Sequence, residues 1–316
     1  MSLASAVPYT RGRHQLTDIC HAWLVPDGTW GWSNAGLVMG RDQSLLVDTL
    51  FDLPMTREML DGLTDLTDAR PIRTVVNTHA NGDHWFGNEL VHGAEFIASE
   101  PTAREMETNG PDLIRSLLAQ EGAVGGFARH IFAPFNFDDI TPTGATRTFD
   151  RDLTLDVGGT EVQVLNLGPA HTAGDSVVFV PEERVLYAGD LLFIGGTPII
   201  WAGPVSSWID ACDRMSALEP LLVVPGHGPV VDAGGILQVR DYLTWVHEEA
   251  GSRHARGMSA EDAMRDITLG RFAELDEQGR LAQNVLAVYY ELDPGLERVD
   301  TLEVFRRIAE LEGFAD

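Results

Sequence analysis

Short apolar runs separated by turn residues open the chain. Residues 19–25, 36–39 and 45–47 are punctuated by Pro26-Asp27-Gly28 and by a turn over 40–43, which predicts an antiparallel meander. Residues 54–66 place Met55, Met59, Leu60, Leu63 and Leu66 at helical spacing, enough to bury one face. Pro71 stops that helix, and a β-branched run over 74–77 delivers a polar segment, His79-Ala80-Asn81-Gly82-Asp83-His84, with a helix expected from Trp85. Residues 95–98 read as a strand, and 99–131 as helix with breaks at Gly110-Pro111 and Gly125-Gly126. Strand signals return at 146–149, 153–157, 161–166, 176–180, 185–187 and 221–224, with a helix over 206–218 capped by Ser206. Beyond Gly235 the segments 236–255, 260–267, 281–292 and 301–311 all have helical period. Two groups of strands with accompanying helices predict two halves that face each other. We expect an α/β domain over 1–234 and a helical extension over 235–316.

With 316 residues, 44% of them hydrophobic, the chain has ample material for such a core. Its formal charge of -26 works against nucleic acid and anionic membranes as partners. All 22 basic residues are arginine, since the sequence contains no lysine. No stretch reaches the roughly 20 apolar residues of a membrane span, and residues 1–15 lack an apolar signal-type core. The expectation is a soluble cytoplasmic protein with no membrane partner. Cys20 and Cys212 share no metal-type spacing and are expected as reduced, buried thiols.

Candidate chemistry sits at strand ends. His79, Asp83 and His84 crowd six positions, with Gly82 expected to supply the positive φ that lets them converge. Imidazole and carboxylate suit a borderline cation such as Zn²⁺. Three further stretches end a β run with the same chemistry: Gly168-Pro169-Ala170-His171, Gly189-Asp190 and Pro225-Gly226-His227.

In this order and spacing the four blocks resemble the metallo-β-lactamase superfamily, whose pattern is H-x-H-x-D-H, a lone His, Asp after Gly and His after Gly. The resemblance covers roughly 19–231. It implies a four-layer αββα sandwich with metals at one edge between the sheets, extended here by the carboxy-terminal helices, which in some relatives cover the site. By carry-over, His79 and His171 would serve a first metal, Asp83, His84 and His227 a second, and Asp190 would bridge. Asn81 stands where the family usually has a second His, and a neutral amide is a poorer ligand than imidazole. It would be a weak ligand or a substrate contact, leaving the second site tighter. One or two zinc ions are expected, with iron or manganese as alternatives.

The resemblance further implies hydroxide from metal-bound water attacking an ester, thioester, lactone or amide, with Asp83 orienting water or moving a proton. Trp30, Trp32, Trp85, Phe86 and Trp201, beside the turns that would rim the site, suggest an apolar or aromatic small molecule. Without lysine, any substrate carboxylate would have to be held by arginine. Two alternatives are a metal-dependent aromatic polyketide cyclase or thioesterase that polarises a ketone, and a non-catalytic site that binds a metal or ligand. A stripe with Leu286, Tyr289 and Tyr290 could pack on the sandwich or form a homo-oligomer surface.

Overall fold

The computed structural model describes residues 6–314. A seven-stranded sheet runs in the order β1 (Gly12–Gln15), β2 (Cys20–Leu24), β3 (Ala35–Met39), β4 (Ser44–Val47), β5 (Ile72–Val76), β6 (Glu95–Ser99) and β7 (Arg147–Phe149). Its first four strands form the antiparallel meander, and β4 to β7 pair in parallel. A five-stranded sheet contains β8 (Leu153–Val157), β9 (Thr160–Asn166), β10 (Ser176–Val180), β11 (Val185–Phe193) and β12 (Leu222–His227), in the order β12-β11-β10-β9-β8. β11 and β12 pair in parallel, so both run toward the edge where β4 and β5 end.

The sheets face each other across a layer rich in β-branched residues, including Val38, Val47, Val76, Val178 and Val224. Such residues pack well on a pleated surface, and both faces of these strands are covered. Tyr187 crosses this layer and donates its hydroxyl to His21 O at 3.0 Å, lying against Gly36, where a Cβ would overlap its ring. The outer faces are covered by helices: α1 (Leu53–Thr67) and α2 (Glu100–Met106) on the first sheet, then α3 (Pro111–Leu118) and α4 (Gly122–Phe132) beyond them. α5 (Val205–Ala217) and α6 (Gly234–Ala255) cover the second sheet, completing four layers. Three further helices follow, α7 (Ala260–Asp266), α8 (Leu281–Leu292) and α9 (Thr301–Leu311).

Four sequence expectations change. No α-helix starts at Trp85: the loop turns through two short 3₁₀ segments, Gly82–His84 and Asn88–Leu90, because the Trp85 indole is tied back to Ala80 O at 3.0 Å. Gly125-Gly126 lies inside α4, where a Cβ on Gly125 would strike Gln120 O. Ser206 is not the cap of α5, since the helix begins at Val205 after Pro204, and the carboxylate of Glu291 on α8 accepts the Val205 N–H at 2.7 Å. β1 falls in the stretch read as a mixed polar segment, because an exposed edge strand carries no apolar face.

α8 is buried on every side, and Leu286, Tyr289 and Tyr290 are enclosed within the chain. Its polar residues grip the segment after β11: Asn284 accepts from Ile200 N at 3.0 Å and donates to Pro198 O at 2.8 Å, and Gln283 donates to Ile200 O at 2.7 Å. Cys20 and Cys212 are both free and buried. Among the described residues no helix is long and apolar enough to cross a membrane.

Candidate metal centre

Each chemistry-bearing block leaves a strand end at the same edge of the sandwich. His79 follows β5, Asp83 and His84 lie in the 3₁₀ turn, His171 follows β9, Asp190 sits where β11 breaks register, and His227 ends β12. Gly82 has an ordinary negative φ, contrary to the expectation of a left-handed residue. It is needed for space, because a Cβ there would overlap the Phe86 ring. Gly226 is required for the same reason, as its Cβ would fall on Asp190 Oδ1.

Proton positions follow from the partners of the four imidazoles. His171 Nδ1 faces Ile199 O at 2.7 Å and His227 Nδ1 faces Gly28 O at 3.1 Å, and carbonyls only accept. His84 Nδ1 likewise donates to the Asp48 carboxylate at 2.8 Å. Thr78 gives its hydroxyl proton to Asp48 at 2.8 Å, so His79 Nδ1 donates to the Thr78 oxygen at 3.0 Å. All four rings therefore carry a proton on Nδ1 and turn Nε2, the nitrogen that would bind a metal, toward the centre.

Those Nε2 atoms converge on two carboxylates. Asp190 lies 3.0 Å from His84 Nε2, 3.4 Å from His171 and His227, and 3.6 Å from His79, while Asp83 lies 3.3 Å from His227 and 3.7 Å from His84. His79 Nε2, His84 Nε2 and Asp190 Oδ1 are buried without a hydrogen-bond partner. Two carboxylates this deeply buried are unfavourable unless positive charge lies beside them, as protons on the rings or as metal ions that displace those protons. The donor set fits one or two divalent ions, with His79, His84 and Asp190 in one cluster and Asp83, His84 and His227 in the other. Asn81 points its Nδ2 at His171 Nε2, 3.0 Å away, so it occupies a lone pair instead of adding one.

The electrostatics favour one side. Burial disfavours charge on His227, but Asp190 and Asp83 outweigh it and push its pKa up to about 9. Burial also opposes charge on His84, where Asp190, Asp83 and Asp48 together hold the pKa well above the usual value. At His171 burial wins and lowers the pKa to about 4, and His79 is lowered by burial and by His84. Burial alone would raise Asp190, yet His227, His84 and His79 pull it well below the usual carboxylate range. Positive charge is therefore held best beside Asp83, His84 and His227.

Several residues that fix this geometry carried no sequence signal of a role. Asp48, just past β4, accepts from Thr78 N at 2.7 Å, from the Thr78 hydroxyl and from His84 Nδ1. Asn77 and Asn88 pair their amides at 2.8 Å, and Asn77 also holds His84 O at 2.9 Å. Asp175 closes the His171 turn by accepting from Ala170 N and Thr172 N, and burial pushes its pKa up to about 7. Asn34 donates to Pro225 O and Gly228 O on either side of His227. A conventional signal exists only for Asp48, an aspartate at the end of a strand whose φ of 62 is one that Asp tolerates.

The centre opens into a cavity of about 300 Å³. Trp30, Phe86 and Trp201 line it, with Phe132 and Phe193. Trp32 and Trp85 do not: Trp32 stacks on Phe135 with ring centres 4.6 Å apart, and Trp85 is buried in the core. Asn81, Asp83, Asp190 and His227 reach the cavity surface, and Arg280, Thr301 and Phe305 close it from the carboxy-terminal side.

Residues 28–227 match the model of the metallo-beta-lactamase superfamily. Similar proteins include the 2,4-dinitroanisole O-demethylase subunit alpha of Nocardioides sp. (strain JS1661), 25% identical over 65% of this chain and 54% of that protein. The type 2 metallo-beta-lactamase of Bacteroides fragilis is 24% identical over 70% of this chain and 79% of that protein. Among solved structures, the inverting sec-alkylsulfatase Pisa1 from Pseudomonas sp. superposes with a TM-score of 0.68 at 16% identity, over 96% of this chain and 55% of that one. The chain thus spans about half the length of the demethylase subunit and of the alkylsulfatase. Two facing sheets, four imidazole Nε2 atoms gathered at their shared edge and a family match over most of that span lead to one conclusion: the chain belongs to the metallo-β-lactamase superfamily.

Proposed function

We propose that this protein is a metal-dependent hydrolase that cleaves an ester, thioester, lactone or amide of an apolar or aromatic small molecule. The observation that carries this reading is the convergence of four imidazole Nε2 atoms on Asp83 and Asp190 at the floor of an aromatic cavity. His79, His171 and Asp190 would hold one ion, and Asp83, His84, Asp190 and His227 the other. A bound divalent ion supplies Lewis acidity at this floor, polarising a carbonyl and acidifying water beside it. Asp83 Oδ2 reaches the cavity and is placed to accept a proton from the attacking water and return it to the leaving group. Trp30, Phe132 and Trp201 hold the apolar part of the substrate and exclude bulk water. Similar proteins that range from an O-demethylase to a β-lactamase and a sulfatase support a shared centre whose cleaved bond is set by the cavity.

The test is a panel of aryl esters and thioesters with the zinc- and manganese-loaded protein. Turnover that a chelator abolishes and added metal restores is expected. Turnover insensitive to chelation would contradict the reading, and silence across the panel would move it to the cyclase alternative.

Two outcomes follow from the centre itself. The side holding Asp83, His84 and His227 should retain its ion through dialysis better than the side holding His79 and His171. Asn81→His should narrow that difference, read as metal per chain, and equal retention in the unaltered protein would contradict the assignment. His227 and His84, raised above their usual values by the carboxylates, are protonated at pH 7 without metal. Metal uptake must displace those protons, so affinity should rise with pH toward the His227 value of about 9. Calorimetry in buffers of different ionisation enthalpy should show proton release, and a buffer-independent heat would count against this arrangement.

A further inference from the structure

Arg280 precedes α8 and is 2% exposed, among the largest fully buried side chains. Its guanidinium lies over Trp30 at 4.3 Å and Phe193 at 5.1 Å from the ring centres. Phe193 is in turn stacked on His227, 5.2 Å away, so the cation stands beside the metal centre on an aromatic wall of the same cavity. Glu277 lies 2.8 Å from Nη1, and its other oxygen accepts from Trp30 N at 2.8 Å, which fixes the pair to the loop after β2. Arg280 reaches the cavity surface, whereas Glu277 is not among its lining residues, so the pair presents its positive end to a ligand.

The guanidinium is left short of acceptors. It has five N–H donors. Among the described residues its hydrogen bond to Thr197 O and its ion pair with Glu277 both use Nη1, at 2.8 Å each, and Nε is buried with no partner. A buried donor without an acceptor is costly, and a planar cation held between rings can be met only at its edge. An acidic oxygen group on the ligand would supply what is missing.

We infer that Arg280 recognises an acidic oxygen group, so that the substrate is an aromatic or apolar compound carrying a carboxylate or an equivalent anion in addition to the bond that is cleaved. This rests on the hydrolase reading for the cleaved bond, while the anion site itself stands on Arg280. In a chain without lysine, arginine supplies every side-chain cation of high pKa, and this one is preorganised by Glu277 and two rings.

The test is binding of 2-naphthoate against its neutral isostere 2-naphthamide to the zinc-loaded protein, followed by quenching of tryptophan fluorescence. Zinc content and aryl-ester turnover are measured on the same samples. We expect naphthoate to bind at least tenfold tighter, Arg280→Gln to erase that preference with zinc content unchanged, and Arg280→Lys to keep part of it. No preference in the unaltered protein would overturn the inference, as would a preference that survives Arg280→Gln, which would place the anion on the metal. If Arg280→Gln does not fold, the double variant E277Q/R280Q, which leaves no unpaired buried charge, carries the same test. Loss of the preference's dependence on Arg280 while turnover persists sinks this inference alone. Absent zinc retention and turnover with the preference intact sinks the hydrolase reading alone.

Discussion

Asp190→Asn should leave the fold intact and lower metal-dependent ester hydrolysis by about 10³-fold, with metal retention lost from both sides of the centre. Among the described residues, Asp190 is the only carboxylate within 3.6 Å of all four imidazole Nε2 atoms. An amide of the same shape removes the negative charge that the two ions share, and it points a donor at rings whose lone pairs should bind metal. Lewis-acid stabilisation is worth several kcal/mol, and ~4 kcal/mol corresponds to about 10³-fold in rate. Folding should survive, because the amide keeps the shape of the carboxylate and the buried rings beside it can release the protons that its charge held. Metal per chain after dialysis and the rate on an aryl ester check this, with circular dichroism as the control. A variant that keeps both its metal and its rate would show that Asp190 does not bridge.

Asp48→Asn should cost about 10- to 100-fold in metal affinity, although Asp48 touches neither the cavity nor any Nε2 atom, a loss typical of groups that orient metal-binding histidines. Its carboxylate takes a proton contact from His84 Nδ1 at 2.8 Å and another from the Thr78 hydroxyl, which in turn accepts from His79 Nδ1 at 3.0 Å. One carboxylate thus sets the tautomer of two rings. The amide would place N–H against N–H at His84, and the ring relieves this by moving its proton to Nε2, where it blocks the metal position. Nitrogen-detected NMR of the histidine rings should report the tautomer change, and chelator competition the affinity. An unchanged His84 tautomer with full affinity would contradict this chain of positioning.

The contrast between these two residues shows what the sequence made legible. Asp190 follows a glycine at the end of an apolar run, and the meander, the later strands and the polar turns were readable from period and punctuation. Asp48 also ends such a run, but its partner His84 lies 36 residues away, and no local pattern joins them. The same holds for the amino-terminal cap of α5, where Glu291 on α8 takes over the role that Ser206 was expected to play. Trp85 and Phe86 looked like the first turn of a helix because they are apolar and adjacent. The tie of the Trp85 indole back to Ala80 O and the space needed beside Gly82 show why the chain turns there. Position beside the turns singled out five aromatic residues but could not say which face the cavity: Trp30, Phe86 and Trp201 do and Trp32 and Trp85 do not, since Trp30 and Trp32 differ by two positions and point to different neighbours.

The central claim is that His79, Asp83, His84, His171, Asp190 and His227 hold divalent metal between them. Crystals equilibrated with zinc and measured at the zinc absorption edge test it most directly. The account predicts an anomalous peak bounded by Asp83, His84, Asp190 and His227, with nitrogen distances of about 2.0–2.1 Å, and a weaker one beside His79 and His171. A map with no peak among these six side chains would contradict it.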